Sequence, residues 1–351
     1  MKRKLLHTAD WHLDSPFASF SGEEREYLRQ ENRRLPEKIA SLCRREGCDG
    51  MLLAGDVFDG SFTRESLDNA RDALESCGVP VFISPGNHDF ISADSPWERK
   101  WPENVHIFDG GITSLVLPEL DLRVYGAGYR SMDCKGLLDG FRAEDDGLTS
   151  VCVLHGDPLS QASPYCPVTA SQVRQSGLSY LALGHIHKAG SFRAGNTLCG
   201  WPGCPMGRGW DETGEKGVFL VSLGDTAQIR PVMLDTPRFT VGEIPLSEWD
   251  TLEKLLPPGE SRDFFRLTVS GLGQLDREAL RELLTRYPHL EFIDRTVTPE
   301  TLWAQSGEDT LRGVYFRMLQ EKAQDPATRD AAVLAAEISL ALLEGREVDL
   351  P

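Results

Sequence analysis

Five short polar motifs, each directly after an apolar run, constrain this chain more than any other feature. Asp10-Trp11-His12 follows residues 4–8. Gly55-Asp56-Val57-Phe58-Asp59 follows 50–54, and Gly86-Asn87-His88-Asp89 follows 79–84. His155-Gly156 follows 151–154, and Gly184-His185-Ile186-His187 follows 178–183. Apolar runs this short, bounded by turn residues, read as buried strands. Loops leaving the C-terminal ends of strands are where α/β sheets bind ligands. The five motifs should therefore meet at one edge and pool carboxylate, amide and imidazole donors.

The intervening sequence supports two mixed sheets between helices. An amphipathic stretch begins near Ser21, with Ser21 and Glu24 spaced as a capping box. It places Leu35, Ile39, Leu42 and Cys43 on one face and Gly47 at a C-cap. Residues 66–77 read as a helix closed by Gly78, and residues 112–125, 191–201 and 217–234 as hairpins. The fold class is α/β, with domain 1–236, a small α/β unit 237–305, and terminal helices in 306–351. Within the small unit, 264–270 and 290–297 read as strands and 276–286 as a helix. Helices are expected over 308–323 and 327–344, the second opened by Asp325-Pro326.

Composition narrows the setting. With 351 residues, 40% hydrophobic and 26% charged, the chain is neither disordered nor low in complexity. No apolar run approaches the roughly 18–20 residues of a membrane span, and the N-terminus has no apolar export segment. A cytoplasmic protein with no membrane contact is expected. The net charge of −17 means that any nucleic-acid role needs a local positive site or a partner. Eight cysteines without a C-x-x-C pair read as reduced, mostly buried thiols, with a zinc site at Cys199 and Cys204 the minor alternative.

The donor set suits two divalent ions. Asp-x-His and His-x-His can each serve one ion or two neighbouring ions, and a carboxylate such as Asp56 can bridge with its two oxygens. Oxygen and imidazole donors without thiolate favour Mn²⁺, Fe or Zn²⁺ over Ca²⁺. Two dications would leave the pocket positive and let an acidic chain attract a phosphodiester locally.

Taken jointly and in this order, the motifs resemble those of the calcineurin-like metallophosphoesterases over roughly the first 235 residues. That resemblance implies a four-layer α/β/β/α sandwich with a small C-terminal capping domain. It implies one ion held by Asp10, His12, Asp56 and His187, and a second by Asp56, Asn87, His155 and His185. His88 would stabilise or protonate the leaving oxygen, with Asp89 orienting it. Within the superfamily, residues 7–17, 177–188 and 202–212 are similar to the SbcD/YhaO-type DNA repair exonucleases. This implies 3′-to-5′ exonuclease and end-processing activity on DNA and manganese as metal, with iron, zinc or magnesium as alternatives. A separate SbcC-type coiled-coil ATPase and a homodimer are further implied. The rival readings are a phosphomonoesterase or nucleotide phosphodiesterase on the same metals, and a scaffold protein for the ATPase.

Asp14 is expected at the rim of the site, and Arg130, Tyr165, Lys188, Arg208 and Trp210 are candidates to touch phosphate or base. Asp59 reads equally as a carboxylate behind the site or a loop anion. His7 reads as a core or supporting histidine, and His106 and His289 as surface or strand histidines.

Overall fold

Alternation within the short strands sets the architecture. Leu6, Met51, Leu53, Val81 and Ile83 enter one core; their neighbours Leu5, Leu52 and Phe82 enter another. Val151, Val153, Tyr180 and Ala182 join that second core, while Cys152, Leu154, Leu181 and Leu183 turn to a third. Strands buried on both faces must be sandwiched between layers.

In the computed structural model, which describes residues 3–254, 256 and 262–345, the chain divides into two units after Arg238. The first runs β1 (Arg3–Thr8), α1 (Gly22–Arg33), α2 (Leu35–Glu46), β2 (Gly50–Leu53), α3 (Arg64–Ser76), β3 (Val81–Ile83), β4 (Val105–Ile107) and β5 (Gly110–Leu117). It continues through β6 (Leu122–Gly128), β7 (Thr149–His155), α4 (Ala170–Gln175), β8 (Tyr180–Gly184), β9 (Gly190–Ala194), β10 (Thr197–Trp201), β11 (Gly217–Leu223) and β12 (Gln228–Met233). One sheet has the order β12-β11-β1-β2-β3-β4, the other β5-β6-β7-β8-β10-β9. Strands β1 to β4 are parallel, as are β6, β7, β8 and β10. The second core lies between the sheets, and the outer cores are covered by α2 and α3 on one side and α4 on the other. This is the α/β/β/α sandwich expected from the sequence.

Local chemistry explains where helices differ from expectation. The stretch from Ser21 to Gly47 is two helices, not one: Pro36, without an N–H, sits in the first turn of α2. Ser21 occupies the N-cap of α1 without a side-chain cap bond, so the expected capping box is not formed. Gly47 closes α2 in the left-handed region at φ 60°, with Cys48 N–H donating to the Cys43 carbonyl at 3.1 Å. Helix α3 starts two residues earlier than expected because Thr63 and Ser66 cap reciprocally.

The second unit contains β13 (Phe239–Pro245), β14 (Phe264–Leu272), α5 (Arg277–Arg286), β15 (Leu290–Val297), α6 (Pro299–Leu302), α7 (Leu311–Lys322) and α8 (Arg329–Leu343). Its three strands are parallel, ordered β13-β14-β15, over a core of Ile244, Phe265, Leu267, Val269 and Tyr287. The described residues from Phe239 onward, which include parts of both segments expected after residue 236, cluster in this one unit by contacts. Asp325-Pro326 does not open α8. Asp325 accepts the Ala327 N–H at 2.9 Å in a turn, and Thr328 takes the N-cap position. No helix among the described residues is long and apolar enough to cross a membrane.

Candidate metal centre

The five motifs leave the C-terminal ends of β1, β2, β3, β7 and β8, and backbone bonds zip the first two loops together. Asp10 N–H donates to Gly55 O at 3.0 Å, His12 N–H to Asp56 O at 2.9 Å and Leu13 N–H to Val57 O at 2.8 Å. Asp10, His12, Asp56 and His185 all sit at positive φ, at 53°, 44°, 49° and 92°. Non-glycine residues rarely hold such angles, and their clustering at one site is a mark of function. The adjacent glycines serve close approach more than turning. A Cβ on Gly184 would collide with the Ala54 carbonyl oxygen, and one on Gly86 with the Asp56 carboxylate.

Hydrogen bonds behind the imidazoles fix which nitrogen faces inward. His12 Nδ1 is held by Asp59 Oδ1 at 3.1 Å and His187 Nδ1 by Glu212 Oε1 at 2.6 Å. Their Nδ1–H groups therefore donate outward, and their Nε2 lone pairs meet only 3.1 Å apart. His155 Nδ1–H donates to the Ala54 carbonyl at 2.9 Å. Its Nε2 then faces Asn87 Oδ1 at 2.8 Å and Asp56 Oδ2 at 3.3 Å, so two oxygens converge on one ring nitrogen. His185 Nδ1 lies 3.2 Å from the same Asn87 oxygen, and the His185 amide donates to both oxygens of Asp10. Asp56 Oδ2 is also 3.8 Å from His12 Nε2, which places this carboxylate between the two imidazole groups.

Converging lone pairs and carboxylates in a buried cleft require positive charge between them. The groups Asp10–His12–His187 and Asp10–Asp56–His155 each have ligand atoms close enough to share one ion. Asp10 stands in both groups, and Asp56 Oδ2 lies near the Nε2 atoms of both His12 and His155, so the donors suit divalent cations at two neighbouring positions. The electrostatics agree. Burial would raise the Asp56 carboxyl, but the charge and hydrogen bond of His155 carry it well below the usual carboxylate range. Burial opposes the His155 cation too, yet Asp56 lifts it to about 9. His185 falls to about 4 through burial and the neighbouring His155 charge.

His88 stands beside the donors, its ring 4.8 Å from that of His12 and its Nδ1 held by Asp59 Oδ1 at 3.0 Å. That hydrogen bond raises its pKa above the ordinary histidine value. The expectation that Asp89 orients His88 is corrected. The Asp89 carboxylate turns inward and accepts the amides of Val57 at 2.7 Å, Phe58 at 3.2 Å and Gly86 at 2.8 Å, joining two of the motif loops. Asp59 is the partner of His88, which settles the even reading of that residue.

Other expected contacts divide. Asp14 accepts Thr63 N–H at 2.6 Å and the Ser66 hydroxyl, and so fastens the start of α3. The Arg130 guanidinium is paired with Asp109 at 2.8 and 2.6 Å, and no described contact joins it to the seven donors. Lys188 is exposed next to His187. Arg208 is at the centre, 3.1 Å from Glu212 Oε1 and 3.7 Å from Asp59 Oδ2, with its buried Nε unpartnered. Tyr165 packs on His185 with ring centroids 4.8 Å apart, while Trp210 packs on Phe20. His7 is core, as expected of it. Glu212 escaped the sequence reading as a functional residue although it closes the quoted segment 202–212. A carboxylate four residues after Arg208 was the available signal. Cys199 and Cys204 are free and buried; Cys204 lies 3.6 Å from Glu212 Oε2.

Comparison with known proteins identifies the family. YhaO of Bacillus subtilis, described as an uncharacterized metallophosphoesterase, is 32% identical over 249 residues, covering 62% of this chain and 57% of its own length. The chain thus matches little more than half of that relative. The SbcD component of the B. subtilis nuclease SbcCD is 24% identical over 340 residues, 81% of this chain and 83% of the relative. A dimetal phosphatase from Danio rerio overlays with a TM-score of 0.45 at 15% identity, over 65% of this chain and 95% of its own. The sequence model of the calcineurin-like phosphoesterases matches residues 3–189, which include all seven donors, and the chain belongs to that family.

Proposed function

We propose that this phosphoesterase acts on DNA, as a metal-dependent 3′-to-5′ exonuclease and end-processing nuclease working with an SbcC-type ATPase in the cytoplasm. Its similarity to the SbcD component of SbcCD extends over 81% of the chain, beyond the catalytic unit, and that extent supports the reading. Manganese is the metal proposed, on the mixed oxygen and imidazole donors. An ATPase partner would also supply the positive DNA-binding surface that a chain of net charge −17 lacks.

Asp10, His12, Asp56 and His187 would hold one ion, and Asp56, Asn87, His155 and His185 the other. Two divalent ions held by these residues would supply Lewis acidity, lowering the pKa of bound water and offsetting charge that develops on the phosphoryl oxygens. The protein does the rest by position. Asp59 and Glu212 lock the tautomers of His12 and His187, and Asp89 pins the loops beneath them. With its Nδ1 committed to Asp59, His88 presents Nε2 to give a proton to the leaving oxygen. Arg208, held between Asp59 and Glu212, offers a fixed guanidinium to a phosphate oxygen.

The carrying observation is the facing pair of Nε2 atoms of His12 and His187, 3.1 Å apart, beside the Asp56–His155 contact. The test incubates the protein and Mn²⁺ with 5′-labelled single- and double-stranded DNA, beside p-nitrophenyl phosphate and bis-p-nitrophenyl phosphate. Progressive shortening from the 3′ end is expected. Robust monoester turnover with intact DNA would overturn the nuclease reading in favour of a phosphomonoesterase.

A further inference from the structure

Strands β9 and β11 begin, and β10 and β12 end, at the edge where β1, β2 and β8 deliver the metal donors. A cavity of about 570 Å³ opens between these strand ends. It starts at His187, one of the seven candidate donors, and continues past Lys188 to Phe219, Ile229 and Met233. Its walls are mainly apolar. The charged groups beyond His187 are Lys188, Lys216 and Glu215, and the Glu215 carboxylate is paired with Arg238 at 3.0 Å. Neither lysine is in an ion pair among the described residues. On a chain with 54 acidic and 37 basic side chains, this is a locally cationic, apolar-walled cavity beside a phosphoester site.

That combination matches one chemistry. A nucleoside offers an apolar heterocycle and sugar, and a polynucleotide places the next phosphate a few ångströms beyond. The volume falls within the range of about 300–1,000 Å³ that small-ligand sites occupy. We infer that this cavity seats the nucleoside adjoining the scissile phosphate, with Lys188 and Lys216 taking the next phosphate of the same strand. The assignment rests on the DNA reading above. It goes beyond it by naming the surface that makes the site prefer a polynucleotide to a simple ester.

A ladder of three substrates tests this with the full chain in Mn²⁺: bis-p-nitrophenyl phosphate, the p-nitrophenyl ester of thymidine 5′-monophosphate, and a short single-stranded oligonucleotide. In the wild type, kcat/KM should rise at each rung. Met233→Trp narrows the cavity at a half-exposed wall residue and should lower the ratio of nucleoside ester to bis-p-nitrophenyl phosphate about tenfold, mainly through KM. Lys216→Gln should lower the ratio of oligonucleotide to nucleoside ester. It should also reduce the salt slope of oligonucleotide binding, read by fluorescence anisotropy in EDTA, by about one. Variants that keep the wild-type ratios on a DNA-cleaving enzyme would overturn the cavity assignment alone. A wild type that leaves DNA intact but hydrolyses monoesters would overturn the nuclease reading and this inference with it.

Discussion

The Asp59 carboxylate accepts the Nδ1–H of His88 at 3.0 Å, and the same oxygen takes the Nδ1–H of His12 at 3.1 Å. One anion thus sets the proton position on the proposed proton donor and on a proposed metal ligand. Replacing His88 by Asn should lower kcat by about 10²–10⁴-fold while both ions stay bound, because His88 is outside the donor set. Asp59→Asn should cost less in rate but move the alkaline limb of the pH–rate profile to lower pH. Asp59 raises the His88 pKa, so without its charge the donor loses its proton earlier as pH rises. Metal content by elemental analysis and a pH–kcat profile check both outcomes.

Asp89 makes a different prediction from the one its place beside His88 suggests. Its carboxylate accepts three buried amides from the loops after β2 and β3, and it does not reach His88. Asp89→Ala leaves those donors unpaired and should destabilise the protein by several kcal/mol, at about 1–3 kcal/mol for each orphaned group. Asp89→Asn should cost less. Denaturant titration reads the loss; unchanged stability with abolished turnover would return Asp89 to the chemistry.

His7 predicts an acid dependence of folding. It is fully buried between the Tyr180 hydroxyl at 2.7 Å and the Leu183 carbonyl at 3.1 Å, and burial lowers its pKa to about 3. Between that value and its unfolded value near 6.5, the unfolded chain binds a proton that the folded one does not. Stability is therefore full above about pH 6.5 and falls as pH drops, by up to about 1.4 kcal/mol per unit. His7→Gln should be less stable at neutral pH but lose less on acidification. Urea titrations in EDTA at pH 7 and pH 5 measure the difference, and parallel losses in the two proteins would exclude the His7 contribution.

Much of this was legible because chemistry and periodicity coincide in the sequence. The apolar runs before the motifs alternate between cores, so the strands and the ligand edge could be read together. What sequence could not give was direction. Asp59 and Asp89 each close a motif, and only the turn of each loop decides which one meets His88 and which one faces the backbone. Asp14 has the same ambiguity, resolved by the start of α3. Strand β13 pairs in parallel with β14 and lacks a strong pattern of its own. The split of α1 from α2 was written in Pro36, which a reading by hydrophobic face alone passes over.

Glu212 connects metal affinity to a residue outside the five motifs. Its Oε1 accepts the His187 Nδ1–H at 2.6 Å, and its Oε2 accepts the Arg208 amide at 2.8 Å. Burial would raise its pKa, but His187 and Arg208 hold it well below the usual carboxylate range, so it works as an anion. A carboxylate behind a metal-binding imidazole fixes the ring and makes the facing nitrogen more basic; its loss typically costs 10–100-fold in metal affinity. Glu212→Gln should therefore weaken one ion by that factor and leave the other, proposed to be held by Asn87, His155 and His185, nearly unchanged. Calorimetric Mn²⁺ titration should resolve a weakened first site beside an unaltered second. Because bound ions stabilise the folded state, the wild type should melt lower in EDTA than in Mn²⁺, by an amount that grows with free metal. Glu212→Gln should need more Mn²⁺ to recover the same melting temperature, whereas equal weakening of both ions would show that Glu212 supports the whole cleft and not His187 alone.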